Sequence, residues 1–298
     1  MNKTCIIIAG PTAVGKTAFA IEVAQHFSTK IISADSRQCY KEMNIGVARP
    51  SPDELAAVPH YFIASHSIHD NLNAVDFEKY ALNYVEDIFK DNEVAVMVGG
   101  TGLYIKAFCE GLDEIPAANA ALRNEIIEAY NNRGMEWLQA SIEKEDPLFF
   151  KSGEMQNPQR MMRALEVVRT TGQSILHFHS KEKKKRNFNI VKLGLETPRE
   201  TLYDRINKRV DVMMENGLLE EAKNLYSFKN LNALQTVGYR ELFDYFDGTT
   251  NLDRAIELIK QNSRHYAKRQ LTWFKKDEQI KWVSPKFSKE ILKEIKNG

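Results

Sequence analysis

The spacing of apolar positions along the chain changes several times, and each change marks an element. Residues 4–9 form a short, mostly branched apolar run that ends at a glycine, which predicts a buried strand. Residues 16–27 then repeat apolar side chains at helical spacing through Phe19, Ala20, Val23 and Phe27. Residues 30–33 predict a second short strand running into Ala34-Asp35, and residues 94–98 a third, bounded by Gly99-Gly100. Between them, Ser51-Pro52-Asp53-Glu54 has the cap, first-turn proline and acids of a helix start, and residues 73–90 are amphipathic. Strands alternating with helices predict an α/β fold built on a doubly wound parallel sheet.

The pattern changes at about residue 113. From there to 187 no strand-like run occurs, and helical spacing recurs over 117–132, 134–144 and 158–171. Residues 188–195 alternate again, which returns the chain to the sheet; Thr197-Pro198-Arg199-Glu200 opens the next helix and residues 251–275 make a long one. The expected organisation is an α/β core of residues 1–112 and 188–298 with an inserted all-helical domain of residues 113–187.

Composition narrows the class. A chain of 298 residues, 43% hydrophobic and 27% charged, can bury a large core. The apolar run near the start is too short to span a membrane and has no basic segment before it, so the expectation is a cytoplasmic protein without a membrane partner. Cys5, Cys39 and Cys109 are odd in number and lack C-x-x-C spacing, which argues against disulfides or a zinc site; His177 and His179 likewise have no ligand spacing around them. The net charge of +1 hides 12 Lys+Arg against 21 Asp+Glu in residues 1–150, and 29 against 19 in residues 151–298. Positive charge gathered in the second half suits a polyanionic partner or a set of solvated helix faces.

The chemistry begins at Gly10-Pro11-Thr12-Ala13-Val14-Gly15-Lys16-Thr17, which matches G-x-x-x-x-G-K-[ST] between a strand and a helix. Glycines there let backbone N–H groups turn around phosphate oxygens at a helix N-terminus, Lys16 adds a point charge, and Thr17 is the expected Mg²⁺ ligand. The P-loop NTPase-like fold therefore grips a di- or triphosphate, ATP included. The third strand runs into Gly99-Gly100-Thr101-Gly102 without a carboxylate to hold Mg²⁺ for water activation, which disfavours a hydrolytic NTPase. Asp35 lies just past the second strand, where α/β sheets place ligands, either as a base for an incoming nucleophile or as a loop cap.

Asp35-Ser36-Arg37-Gln38-Cys39-Tyr40, Gly99-Gly100-Thr101-Gly102-Leu103-Tyr104, Asn157-Pro158-Gln159-Arg160, Val237-Gly238-Tyr239-Arg240 and Lys268-Arg269-Gln270-Leu271-Thr272-Trp273, taken with the glycine loop, resemble the bacterial-type tRNA dimethylallyltransferase family. The resemblance implies transfer of a dimethylallyl group from dimethylallyl diphosphate to N6 of the adenosine 3′ to the anticodon, by a protein acting as a monomer on the tRNA anticodon stem-loop. It implies Asp35, Thr101 and Arg209 as catalytic, with Arg209 and the loop holding the diphosphate. It also implies tRNA contact by Asp35, Ser36, Arg37, Gln38 and Thr101 in the core, and by Arg123, Gln159, Arg160, Met161, Met162 and Arg163 in the insertion, with Gln38 reading adenine. Asn157 stands where relatives often carry Asp. Lys260, Arg264 and Lys268 recur every four residues as a basic face, and Trp273 and Phe274 are expected core anchors. A metabolite or nucleoside kinase, which also pairs a P-loop with such an acid, and an RNA-binding ATPase are the alternatives.

Overall fold

The innermost strands are those the sequence makes apolar end to end, because a parallel sheet covered on both faces exposes neither side of its central strands. In the computed structural model, which describes residues 3–116, 119–179, 182–286, 288 and 291, β1 (Thr4–Ala9) runs between β4 (Val94–Gly99) and β5 (Asn189–Leu195). β2 (Ile31–Ser33), β3 (His60–Tyr61) and β6 (Ile280–Val283) complete a six-stranded sheet of order β3-β2-β4-β1-β5-β6, with every pairing parallel. Ile6 and Ile8 pack with Val96, Val98, Leu193 and Phe19, all fully or nearly fully buried. β3 and β6 were not expected; two residues, or four beside lysines, carry too little alternation to register as strands.

Register fixes the functional edge. Ala9 stands opposite Gly99 and Gly194, and Ser33 opposite Val98, so β1, β2 and β4 end side by side. α1 (Lys16–His26) follows β1, α2 (Pro52–Ala57) follows the long loop after β2, and α3 (Ala74–Asp91) leads into β4, which α4 (Gly102–Glu110) follows. A capping box starts each of α2 and α3, from Ser51 with Glu54 and from Asn73 with Asp76.

The chain divides into two units, one running to Glu110 and resuming at Lys185, the other Gly111–Lys184. The junction falls two to three residues from the expected 113 and 187 because Arg186 belongs to the α/β unit. Its guanidinium donates to Phe108 O at 2.7 Å, Ala107 O at 2.9 Å and the Glu78 carboxylate at 2.8 Å. The helical unit comprises α5 (Ala120–Glu145), α6 (Pro147–Ser152) and α7 (Pro158–Thr171), packed around Ile126, Leu138, Ile142, Met161 and Leu165. Gly134, at φ 75°, breaks α5 at the boundary between the two helical patterns expected there. Asn157 caps α7 by accepting from Arg160 N at 3.2 Å, a role its side-chain oxygen fills without an acid.

After β5 the α/β unit continues through α8 (Arg199–Glu215), α9 (Leu218–Leu225), α10 (Tyr239–Phe246) and α11 (Leu252–Phe274). Among the described residues no helix is long and apolar enough to cross a membrane, and Cys5, Cys39 and Cys109 are free and buried.

Candidate active site

Gly10 turns out of β1 at φ +149°, where an added Cβ would lie 2.9 Å from Leu195 O; only glycine lets the chain bend here. Gly15, at φ 105°, then opens α1 without a side-chain cap, leaving the first-turn amides of the helix to a ligand. Lys16 folds back and donates from Nζ to Pro11 O at 2.7 Å. Desolvation lowers its pKa from 10.5 to about 8; Asp35 opposes that shift, and Arg209 adds to it. α8 faces the loop from the other side. Arg209 Nη1 donates to Thr12 Oγ1 at 3.0 Å and Arg205 Nη1 to Val14 O at 3.3 Å. Burial also pushes the Arg209 guanidinium below its ordinary pKa, with Asp35 again opposing. Two desolvated cations thus share one carboxylate, leaving a local positive excess suited to a polyanion.

That carboxylate comes from the end of β2. Asp35 Oδ1 accepts from Arg37 N at 2.9 Å and Gln38 N at 3.2 Å, while Oδ2 accepts no hydrogen bond from the described residues. The loop-cap and base assignments are therefore compatible, since one oxygen fixes the group and the other stays open. Thr101 sets the neighbouring loop. Its Oγ1 accepts from Ser36 N at 3.1 Å and donates to Ser36 Oγ at 3.3 Å, so this hydroxyl, expected to be catalytic, ties the loop after β2 to the loop after β4. Gly99 permits this approach, because a Cβ there would meet Ala34 O at 2.2 Å.

Gln38 is also committed. Its Nε2 donates to Ala48 O at 2.9 Å and Val47 O at 3.3 Å, and its Oε1 accepts from Ser33 Oγ at 3.4 Å. Bidentate pairing to adenine requires exchanging those bonds. The 44–46 backbone is held in turn by Glu221 of α9, whose carboxylate accepts from Asn44 N, Ile45 N and Gly46 N at 3.1, 2.8 and 2.9 Å and from the Tyr239 hydroxyl at 2.6 Å. A cavity of about 530 Å³ opens beside this loop, lined by Arg49, Arg205, Lys208 and Arg209 with Val212 and Met213.

Two residues that received no role from the sequence belong to the site. Tyr266 of α11 is 37% exposed, yet its hydroxyl is desolvated and lies near the Asp35 charge, which together push its pKa up to about 12; a side-chain hydrogen bond with Thr101 opposes this. Gln270 bridges the glycine loop and the loop after β4. Gln270 lies in the 268–273 segment that carries the family resemblance, but its role was not legible there because its bonding partners are distant in sequence.

The helical unit departs from several expectations. Met161 and Met162 are buried in its core, so their side chains pack inside the unit. Arg160 pairs with Glu154, Arg163 with Glu166 at 3.2 Å, and Arg123 with Glu166 at 3.7 Å; Gln159 is exposed. In the other unit, Lys260 bonds Asp211 at 2.8 Å and Arg264 bonds Asn207 at 2.5 Å, so two members of the expected basic face pack α11 onto α8. Trp273 is 39% exposed rather than a core anchor, while Phe274 is buried as expected.

A magnesium ion fits this donor set in one manner. Among the described residues no cluster of three acids, histidines or cysteines could hold a metal, and the Thr17 hydroxyl has no hydrogen-bond partner. A magnesium ion arriving with a phosphate ligand would find the Thr17 hydroxyl as its one protein oxygen.

The IPP transferase family model matches residues 38–277. A tRNA dimethylallyltransferase of Christiangramia forsetii is 52% identical over 95% of this chain and 93% of its own, and a tRNA dimethylallyltransferase 1 of Bacteroides fragilis 45% identical over 97% and 96%. Among solved structures, the full-length tRNA isopentenylpyrophosphate transferase of Bacillus halodurans superposes with a TM-score of 0.70 at 35% identity, covering 99% of this chain and 94% of that one. A eukaryotic dimethylallyltransferase acting on tRNA gives 0.78 at 26% identity, over 95% and 74%.

Proposed function

The chain belongs to the IPP transferase family and is a tRNA-prenylating transferase, and on that premise we propose that Asp35 deprotonates N6 of the adenosine 3′ to the anticodon while the glycine loop holds the diphosphate of a dimethylallyl donor. The observation that carries this reading is the placement of Asp35 against Lys16 and Arg209 with one carboxylate oxygen unbonded.

In the reaction the bond between the allyl carbon and the diphosphate oxygen breaks, and its electron pair leaves with the diphosphate. Lys16, Arg209 and the α1 amides stabilise that charge as it develops. The N6 lone pair forms the new C–N bond, and the N6 proton passes to Asp35. Thr17 would hold a magnesium ion brought in with the diphosphate, and the ion would supply charge neutralisation for the leaving group. An exocyclic amine is a weak nucleophile, so alignment of donor, amine and base supplies much of the acceleration. Arg205 and Arg209, which bond the glycine loop, also line the neighbouring cavity together with Lys208 and add positive charge beside the diphosphate. We assign the adenosine side to Ser36, Arg37 and Gln38, and the stem contact to Arg123, Gln159, Arg160 and Arg163.

The protein is tested with Mg²⁺, labelled dimethylallyl diphosphate or labelled ATP, and anticodon stem-loops carrying A or G beside the anticodon. Label from the allyl donor enters only the A-bearing RNA. Phosphoryl transfer from ATP, or label in the G-bearing RNA, overturns the proposal.

A further inference from the structure

Gln270 sits in the next-to-last turn of α11 and is only 6% exposed. Its carboxamide lies between two loops that are far apart in the chain. Oε1 accepts from Thr12 N in the glycine loop at 2.8 Å, and Nε2 donates to Gly100 O after β4 at 2.9 Å. Among side chains of this length only an amide offers an acceptor and a donor in one rigid plane. Gly100 is the matching half, because a Cβ there would stand 2.2 Å from Nε2. The link continues on both sides. Thr12 Oγ1 accepts from Arg209, and the residue after Gly100, Thr101, holds Ser36 N beside Asp35.

We propose that Gln270 is a positioning residue that sets the separation between the diphosphate-holding loop and the base-bearing loops. This rests on the functional assignment given above. It draws one glycine-loop amide, Thr12 N, away from phosphate and uses it as the anchor of a strut whose far end orders Thr101 and Asp35. Because the strut touches neither substrate, its loss changes alignment and leaves binding in place. Misplacement of reacting groups by about 1 Å costs up to roughly 100-fold in rate.

The test compares wild type with Gln270→Met, which fills the space without either hydrogen bond, and with Gln270→Glu, which turns an oxygen toward Gly100 O. Single-turnover prenyl transfer to the stem-loop falls about 10- to 100-fold in both variants. Inorganic pyrophosphate with Mg²⁺ and the stem-loop each bind within about threefold of wild type. Gly100→Ala falls by a similar factor, and the Gly100→Ala/Gln270→Met double variant is no slower than either single one, because both break the same link. Amide exchange at Thr12 accelerates in Gln270→Met whether or not the protein transfers a prenyl group, so failure of the functional assignment and failure of the strut give different results. An unchanged transfer rate overturns the proposal. So does a loss shared by rate, both affinities and melting temperature, which reports unfolding; should Gln270→Met not fold, Gln270→Glu decides by the same criteria.

Discussion

The α/β unit and the helical unit both present arginine and lysine, and they differ in what those cations face. Lys16 and Arg209 are desolvated and share a single acid, Asp35, so part of their charge is left for a ligand. In the helical unit Arg160, Arg163, Arg123 and Arg169 are each paired with a glutamate of the same unit. Residues 111–184 hold 10 Lys+Arg against 11 Asp+Glu, whereas residues 185–298 hold 22 against 16. The helical unit as a whole is thus near neutral, and residues 185–298 carry +6 of the second half's +10. An under-paired buried cation marks a place built for an anion, while a surface arginine with its own glutamate must exchange one partner for another and gains little in doing so.

The largest expected effect tests the acid at the centre of the under-paired site. Asp35→Asn keeps an oxygen for Arg37 N and Gln38 N, so the loop stays in place and only the proton acceptor is lost. Single-turnover transfer falls about 10²- to 10⁴-fold, while pyrophosphate binding, measured by calorimetry, stays within about threefold. Equal losses in rate and binding would show that Asp35 serves the phosphate site instead, and the distinction between a base and a balancing charge would disappear.

Lys16 gives the next effect, through pH. Its pKa of about 8 in the free protein means that it loses its proton above pH 8, whereas a bound diphosphate returns it toward 10.5. Between those values the complex holds more protons than the free protein, so binding takes up a proton and affinity falls as pH rises, by at most tenfold per unit. Calorimetry with pyrophosphate and Mg²⁺ at pH 7.5, 8.5 and 9.5 in two buffers of different ionisation enthalpy reads both quantities. A pyrophosphate affinity independent of pH would remove the desolvated lysine from the comparison.

The same contrast separates what the sequence made legible from what it did not. The glycine loop, Asp35 and the Gly99-Gly100-Thr101-Gly102 turn could be placed because each is a short segment fixed by the end of one apolar strand. Arg209 was reachable only through the family resemblance, since in helical spacing alone it is one more cation of α8. Gln270 and Glu221 were given no role, because the first bonds partners 258 and 170 residues away and the second holds a loop about 176 residues distant. Met161 and Met162 sat beside the matched 157–160 segment, and their side chains are buried in the core of the helical unit. Charge counted by halves of the chain cuts the helical unit in two, since residues 111–150 hold 3 Lys+Arg against 8 Asp+Glu and residues 151–184 hold 7 against 3.

The smallest effects lie in the helical unit, where pairing has to be separated from RNA contact. Arg163 and Arg123 both serve Glu166, which is 2% exposed, so Arg163→Ala leaves a buried carboxylate with one distant partner. Thermal or urea unfolding should show a loss of roughly 1–3 kcal/mol, the scale for stranding a buried polar group. Arg160 differs because it and Glu154 are both more than half exposed, so Arg160→Ala leaves stability unchanged and isolates the RNA term. Stem-loop affinity then falls about three- to tenfold, and the slope of log K against log salt drops by about one. Glu154→Ala is the complementary change. It frees Arg160 for phosphate and removes a like charge from the face, so affinity rises by a few fold with a steeper salt slope. If both variants bind the stem-loop with wild-type affinity and slope, the arginine–glutamate face is packing alone, and the under-paired α/β unit carries the RNA contact by itself.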